Sequence, residues 1–129
     1  MQNEFPPSGP WTGYYYYGDG GFKHQMKMQI FFGPSGSIQG EGIDDIAQFL
    51  IRGRFDRATS QATWTKAYIG MHSVEYSGIY CQRAICGDWI LMGTAGGFWI
   101  WPNALGESES TEEQIEIETP LILASPAER

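Results

Sequence analysis

The sequence predicts an all-β protein: an eight-stranded antiparallel up-and-down meander that closes into a barrel, with a two-sheet β-sandwich as the alternative. Three observations carry the prediction. Residues 64–89, WTKAYIGMHSVEYSGIYCQRAICGDW, alternate between two faces over two successive hairpins, the period of a half-buried strand. Seventeen glycines, seven tyrosines, seven phenylalanines and five tryptophans occur without any long run of helical periodicity. The connections between alternating segments are too short for anything but antiparallel pairing of neighbours. Closure follows because eight strands with one apolar face would otherwise leave two exposed edges.

Each element is readable in order. Residues 1–10, MQNEFPPSGP, form an irregular lead-in with three prolines. The first strand is Trp11 to Tyr17, and Gly18-Asp19-Gly20-Gly21 turns the chain. The second runs from Phe22 to Phe32, with Phe22, His24, Met26, Met28, Ile30 and Phe32 inward and Lys23, Gln25, Lys27 and Gln29 outward. After Gly33-Pro34-Ser35-Gly36 comes a glycine-rich strand from Ser37 to Ile43, then the polar connection Asp44-Asp45. Strand four, Gln48 to Phe55, points Phe49, Ile51, Gly53 and Phe55 inward and Arg52 and Arg54 outward. In the fifth and sixth, a turn at Ile69-Gly70-Met71 sets Tyr68 opposite His72, Lys66 opposite Val74 and Trp64 opposite Tyr76. The next hairpin is read with Cys81 opposite Cys86, Gly78 opposite Trp89 and Tyr80 opposite Gly87, so that rings lie over glycines. A last strand, Gly97 to Pro102, sets Phe98 opposite Leu91 and Ile100 opposite Trp89. The domain therefore spans 11–102, and residues 103–129 form a tail.

The net charge of −7 is unevenly placed: residues 1–102 hold seven Lys or Arg against eight Asp or Glu, leaving about −6 for the tail. A near-neutral body lacks the basic stripe that phosphate backbones demand, so neither nucleic acid nor an anionic membrane is expected as a partner. No signal peptide and no run of about 20 apolar residues is apparent, and the default expectation is a cytoplasmic protein. In the register above, Cys81 and Cys86 are outer-face neighbours within reach of a disulfide, but two free thiols are the expectation in a reducing compartment. Two cysteines without a CxxC spacing supply no metal site.

The segment GEGIDDIAQFLIRGRFD followed by WTKAYIGMHSVEYSG resembles the motif pair of a group of small bacterial β-domains of unknown activity. In that group a G-x-G-x-D hairpin precedes a K-x-Y-x-G-x-H-x-V-x-Y-x-G run. Lys66, Tyr68, Gly70, His72, Val74, Tyr76 and Gly78 supply the second motif; Gly40, Gly42, Asp44 and Phe49 supply the first, with Ala47 where glycine is expected. The resemblance covers about residues 38–101 and implies no activity. By shape alone the predicted barrel is similar to calycins such as avidins and lipocalins, without their ligand residues.

The inner face carries unusually many polar groups. Lys66 needs a carboxylate partner, which Asp44 or Asp45 from the rim would supply, or a place near the mouth where its head reaches water. Two readings stand side by side: a pocket formed by Lys66, His72, Tyr76, His24, Tyr68, Asp44 and Asp45, or a satisfied structural cluster. His72 with Tyr76 or Lys66 would suit acid–base work, but no catalytic signature is present and no catalytic residue or cofactor is assigned. On the outer face, Tyr14 and Tyr16 of the first strand and Trp99 and Trp101 of the last become one patch if the barrel closes. The first expectation for function is a non-catalytic binding domain taking a small polar or aromatic ligand at the barrel interior or mouth. A protein or carbohydrate interaction module using the outer patch is the alternative, and a small acid–base enzyme comes third. In the acidic tail, residues 115–123 form a short β-prone run expected to dock on a sheet edge or on the aromatic patch, in the same chain or across a homodimer.

Overall fold

In the computed structural model, which describes residues 4–18 and 21–103, the chain forms eight strands: β1 (Gly9–Tyr17), β2 (His24–Phe32), β3 (Ser37–Asp44), β4 (Gln48–Asp56), β5 (Gln61–Tyr68), β6 (Ser73–Tyr80), β7 (Ile85–Leu91) and β8 (Thr94–Pro102). Each pairs antiparallel with the next, and β8 returns to pair with β1, so the meander is a closed barrel. No helix among the described residues is long and apolar enough to cross a membrane. The acidic tail expected to carry the docking run lies outside the described residues.

Alternation decides what faces in. Inward positions hold Trp11, Met26, Met28, Ile30, Phe32, Phe49, Ile51, Phe55, Trp64, Tyr76, Trp89, Phe98 and Ile100, all buried, while Lys23, Lys27 and Arg52 are exposed. A one-residue slip would have exchanged these two sets. Phe22 departs from the expectation. It lies outside β2, in the turn before it, and is 78% exposed.

Two registers also differ from the sequence reading. The β5–β6 pairing is as read, with Trp64 opposite Tyr76 and Lys66 opposite Val74. Between β6 and β7, however, Gly78 faces Gly87 and Tyr80 faces Ile85, a shift of two residues that preserves the inner face. Between β7 and β8 the shift is four, with Trp89 opposite Gly96 and Ile85 opposite Ile100. The reason is close approach of the backbones: a Cβ placed on Gly87 would overlap the carbonyl oxygen of Ser77, so the two glycines meet each other. Ring-over-glycine contacts exist, but with other partners: the Trp89 indole lies over Gly96, and the ring over Gly78 is that of Phe98. Cys86 consequently pairs with Ile79, Cys81 sits in the turn, and both thiols are free and exposed.

The two ends of the barrel differ. At one end the lead-in folds across: Pro6 is fully buried, Phe5 packs edge-on to Phe55 with centroids 5.6 Å apart, and the Trp11 indole donates to the Pro7 carbonyl at 2.9 Å. The connections at that end are polar (Pro34-Ser35, residues 57–60, Gln82-Arg83). The opposite end carries the β1–β2, β3–β4, β5–β6 and β7–β8 connections. Among the described residues each of these connections carries an exposed apolar side chain: Phe22, Ile46, Ile69 with Met71, and Met92, the last 94% exposed.

Candidate functional site

The end with these exposed apolar side chains contains two tiers of polar groups. The inner tier begins with Asp44, the last residue of β3. Its Oδ1 accepts from the backbone N–H groups of Ile46 (2.9 Å) and Ala47 (3.3 Å), which turns the chain into β4. Its Oδ2 pairs with Lys66 Nζ at 2.5 Å and accepts from the Tyr68 hydroxyl at 2.6 Å. The first aspartate of the Asp-Asp pair is thus both turn-former and counter-ion, and its side chain is wholly buried.

Lys66 is 1% exposed. Beyond Asp44, its ammonium donates to the Tyr76 hydroxyl at 3.2 Å and contacts Met26 Sδ at 3.4 Å. Four rings surround it, with centroids of Tyr15 and Phe49 at 4.6 Å, Tyr68 at 4.9 Å and Tyr76 at 5.3 Å. This is an aromatic cage occupied by the protein's own cation. Burial pushes the Lys66 pKa down, and the Asp44 carboxylate pulls against that shift. Burial, together with the Asp44 charge, raises the Tyr15, Tyr68 and Tyr76 hydroxyls well above their ordinary value.

The outer tier is Asp45 with His24 and Tyr15. Asp45, with its side chain 50% exposed, lies 2.6 Å from His24 Nδ1 and accepts from the Tyr15 hydroxyl at 3.0 Å. Burial acts to raise its carboxyl, but the hydrogen bonds with His24 and Tyr15 outweigh it and hold the pKa below the ordinary value. Tyr15 joins the tiers: its ring faces Lys66 and stacks on His24 at 4.6 Å, while its hydroxyl reaches Asp45. Around this tier, Tyr17 packs edge-on to Trp89 at 5.0 Å and Phe22 edge-on to His24 at 5.1 Å.

Of the residues singled out from sequence, Lys66, Tyr68, Tyr76 and Asp44 meet in the inner tier and His24 and Asp45 in the outer. His72 does not join them. It lies in the turn before β6, exposed, with its ring 5.1 Å from that of Tyr68, because the strand begins one residue later than read. The expected pocket between Lys66, His72 and Tyr76 is correspondingly filled. What remains is a void of about 20 Å³ beneath Ile46, bounded by Tyr68, His72, Trp89 and Leu91, room for about one water. Tyr15 and Met26 were missed as site residues, although both share the inward parity of Lys66. Among the described residues no group of three or more His, Cys, Asp or Glu is arranged to hold a metal. A larger depression lies elsewhere, an open groove of about 770 Å³ on the outer wall of β2 to β5, flanked by Phe31 and Leu50. Its polar side chains, including Glu41 and Arg52, are exposed except for the half-buried Thr65, and no buried polar side chain lines it.

On the outer face the strand register brings the β1 and β8 aromatic residues together. Tyr14 lies opposite Trp99 and Thr12 opposite Trp101, and the Tyr14 and Trp101 rings meet edge-on at 6.1 Å. Trp99 is 49% and Trp101 38% exposed. No protein-family model, curated protein or solved structure matches the chain.

Proposed function

We propose that the chain is a non-catalytic binding domain that takes a small ligand on the rim of the barrel end that the lead-in does not cover, over Asp45 and His24. The observation that carries this reading is the asymmetry of the two ends. One is covered by the lead-in, whereas the other presents a half-exposed carboxylate, held by His24 and Tyr15, at the same end as the exposed apolar side chains of Phe22, Ile46 and Met92. Lys66 and Asp44 satisfy each other and hold the floor of the site in place, so the ligand rests on the rim rather than in the interior. A ring beside a carboxylate favours an aromatic group carrying a cationic or hydrogen-bond-donating head. This keeps the expected kinship with the small bacterial β-domains as part of the same proposal, its Lys, Tyr and first Asp being the groups of the inner tier.

Calorimetric titration with 2-phenylethylammonium, against 3-phenylpropanoate as the opposite charge, tests the reading. The amine is expected to bind saturably and the acid not. Asp45→Asn is expected to weaken the amine roughly three- to tenfold, the worth of one partly exposed charged hydrogen bond. Equal affinity for both probes, or an Asn variant that binds as well as the parent, sinks it.

A second reading, an interaction module on the outer wall, is favoured by the exposure of Trp99 and Trp101. Acid–base catalysis has less support: Lys66 is sealed from solvent, and no hydrogen bond among the described residues links His72 to it.

A further inference from the structure

We infer that residues 115–123 of this same chain dock on the outer aromatic patch of β1 and β8. The inference rests on the second reading above, that the patch is an interaction surface, and supplies its occupant. Three observations carry it. Closure of the barrel leaves no free edge, so a β-prone run has no strand to pair with there and is left with side-chain contacts, which Pro120 does not impede. The chain leaves the barrel beside the patch: the Asn103 N–H donates to the Pro10 carbonyl at 2.9 Å, and Thr12, the residue opposite Trp101, donates from Oγ1 to Asn103 Oδ1 at 2.7 Å. Eleven residues, 104–114, then reach up to about 36 Å when extended, more than the roughly 30 Å length of a nine-residue strand.

Charge supplies the third. Glu107, Glu109, Glu112, Glu113, Glu116 and Glu118 precede or interleave the apolar run, with no basic residue among 104–118. On β2, Lys27 lies opposite Thr12 and Gln25 opposite Tyr14, and Lys23 Nζ sits 5.1 Å from the Tyr14 ring centroid. Neither lysine meets a carboxylate among the described residues. The aromatic surface is thus flanked by the two cations that an Ile-Glu-Ile-Glu sequence would seek. The apolar band continues from Trp99 through Cys86 to the exposed Ile79, enough length for Leu121 and Leu123 as well.

Tryptophan accessibility tests this in the full chain, because Trp11, Trp64 and Trp89 are buried in the barrel and only Trp99 and Trp101 report on the patch. Acrylamide quenching is compared between the parent and the I115D/I117D double variant, whose changes lie outside the barrel, with thermal melting to verify that both fold. The quenching constant is expected to rise at least about twofold in the variant, since a segment tethered at millimolar effective concentration is bound most of the time. Lys27→Glu is expected to move it in the same direction, and light scattering to give a monomer. Identical quenching in parent and variant overturns the inference. So does a dimer whose quenching falls with rising concentration, which would mean that the segment serves a second copy instead.

Discussion

Replacing Lys66 by Met removes the cation from a site where its counter-ion stays buried. In that variant Asp44 Oδ1 retains the Ile46 and Ala47 N–H groups and Oδ2 retains the Tyr68 hydroxyl, so the carboxylate loses one of four partners and all of its neutralising charge. Breaking one side of a buried pair costs about 3–5 kcal/mol, and the expected loss for Lys66→Met lies in that range. Asp44→Asn preserves the turn through Oδ1 but leaves the ammonium with Tyr76, Met26 and the ring faces. Its pKa, already lowered by burial, should fall further. The unfolded chain then holds a proton that the folded chain has released, from the depressed pKa up to about 10.5, so the stability of the Asn variant should rise with pH in that window, by at most about 1.4 kcal/mol per unit. The K66M/D44N double variant has no buried charge and should cost about 1–3 kcal/mol less than the sum of the single changes. Urea unfolding followed by tryptophan fluorescence at pH 7 and 9 reads all four proteins. Additive losses, or single losses under about 1 kcal/mol, would refute the picture of a caged, mutually neutralised pair.

Other expectations follow from particular contacts. Gly87→Ala should destabilise by about 1–3 kcal/mol or more in denaturant melts, because its Cβ meets the backbone of Ser77 and cannot be accommodated by a side-chain rotation; a neutral effect would mean that the Gly78–Gly87 register is wrong. The raised pKa values of Tyr15, Tyr68 and Tyr76 imply stability that is fully present below the ordinary tyrosine pKa of about 10 and lost above it, since only the unfolded chain releases those protons. Melting temperature should therefore decline from about pH 10 upward, and a profile that keeps rising there would contradict their burial. Both thiols, Cys81 and Cys86, should react with a disulfide reagent in the native protein without loss of fold, and protection of either would misplace it.

Much of the barrel was legible because alternation is a local property. The run from Trp64 to Tyr80 fixes which side chains face in, and the buried set from Met26 to Ile100 follows from parity alone. Register was legible only where a tight turn set it, as at Ile69-Gly70-Met71. Elsewhere it depends on how closely two backbones approach, which is why Gly78 and Gly87 were given rings as partners instead of each other. In the site, the need of Lys66 for a rim carboxylate could be reasoned from charge, and Asp44 supplies it. That the cage would fill itself could not, because packing of Tyr15, Phe49, Tyr68 and Tyr76 around one ammonium is a matter of three-dimensional closure. His72 was misplaced because the strand and turn patterns overlap by one residue at its start.

The location of binding is the most direct measurement. Amide chemical shifts of the ¹⁵N-labelled full chain, followed during titration with 2-phenylethylammonium, should move saturably at Tyr17, His24, Asp45, Ile46 and Met92 and stay fixed at Ser35, Ala58 and Gln82 on the covered end. Saturable shifts confined to the outer wall around Trp99, or to the covered end, would contradict a binding site on the opposite rim.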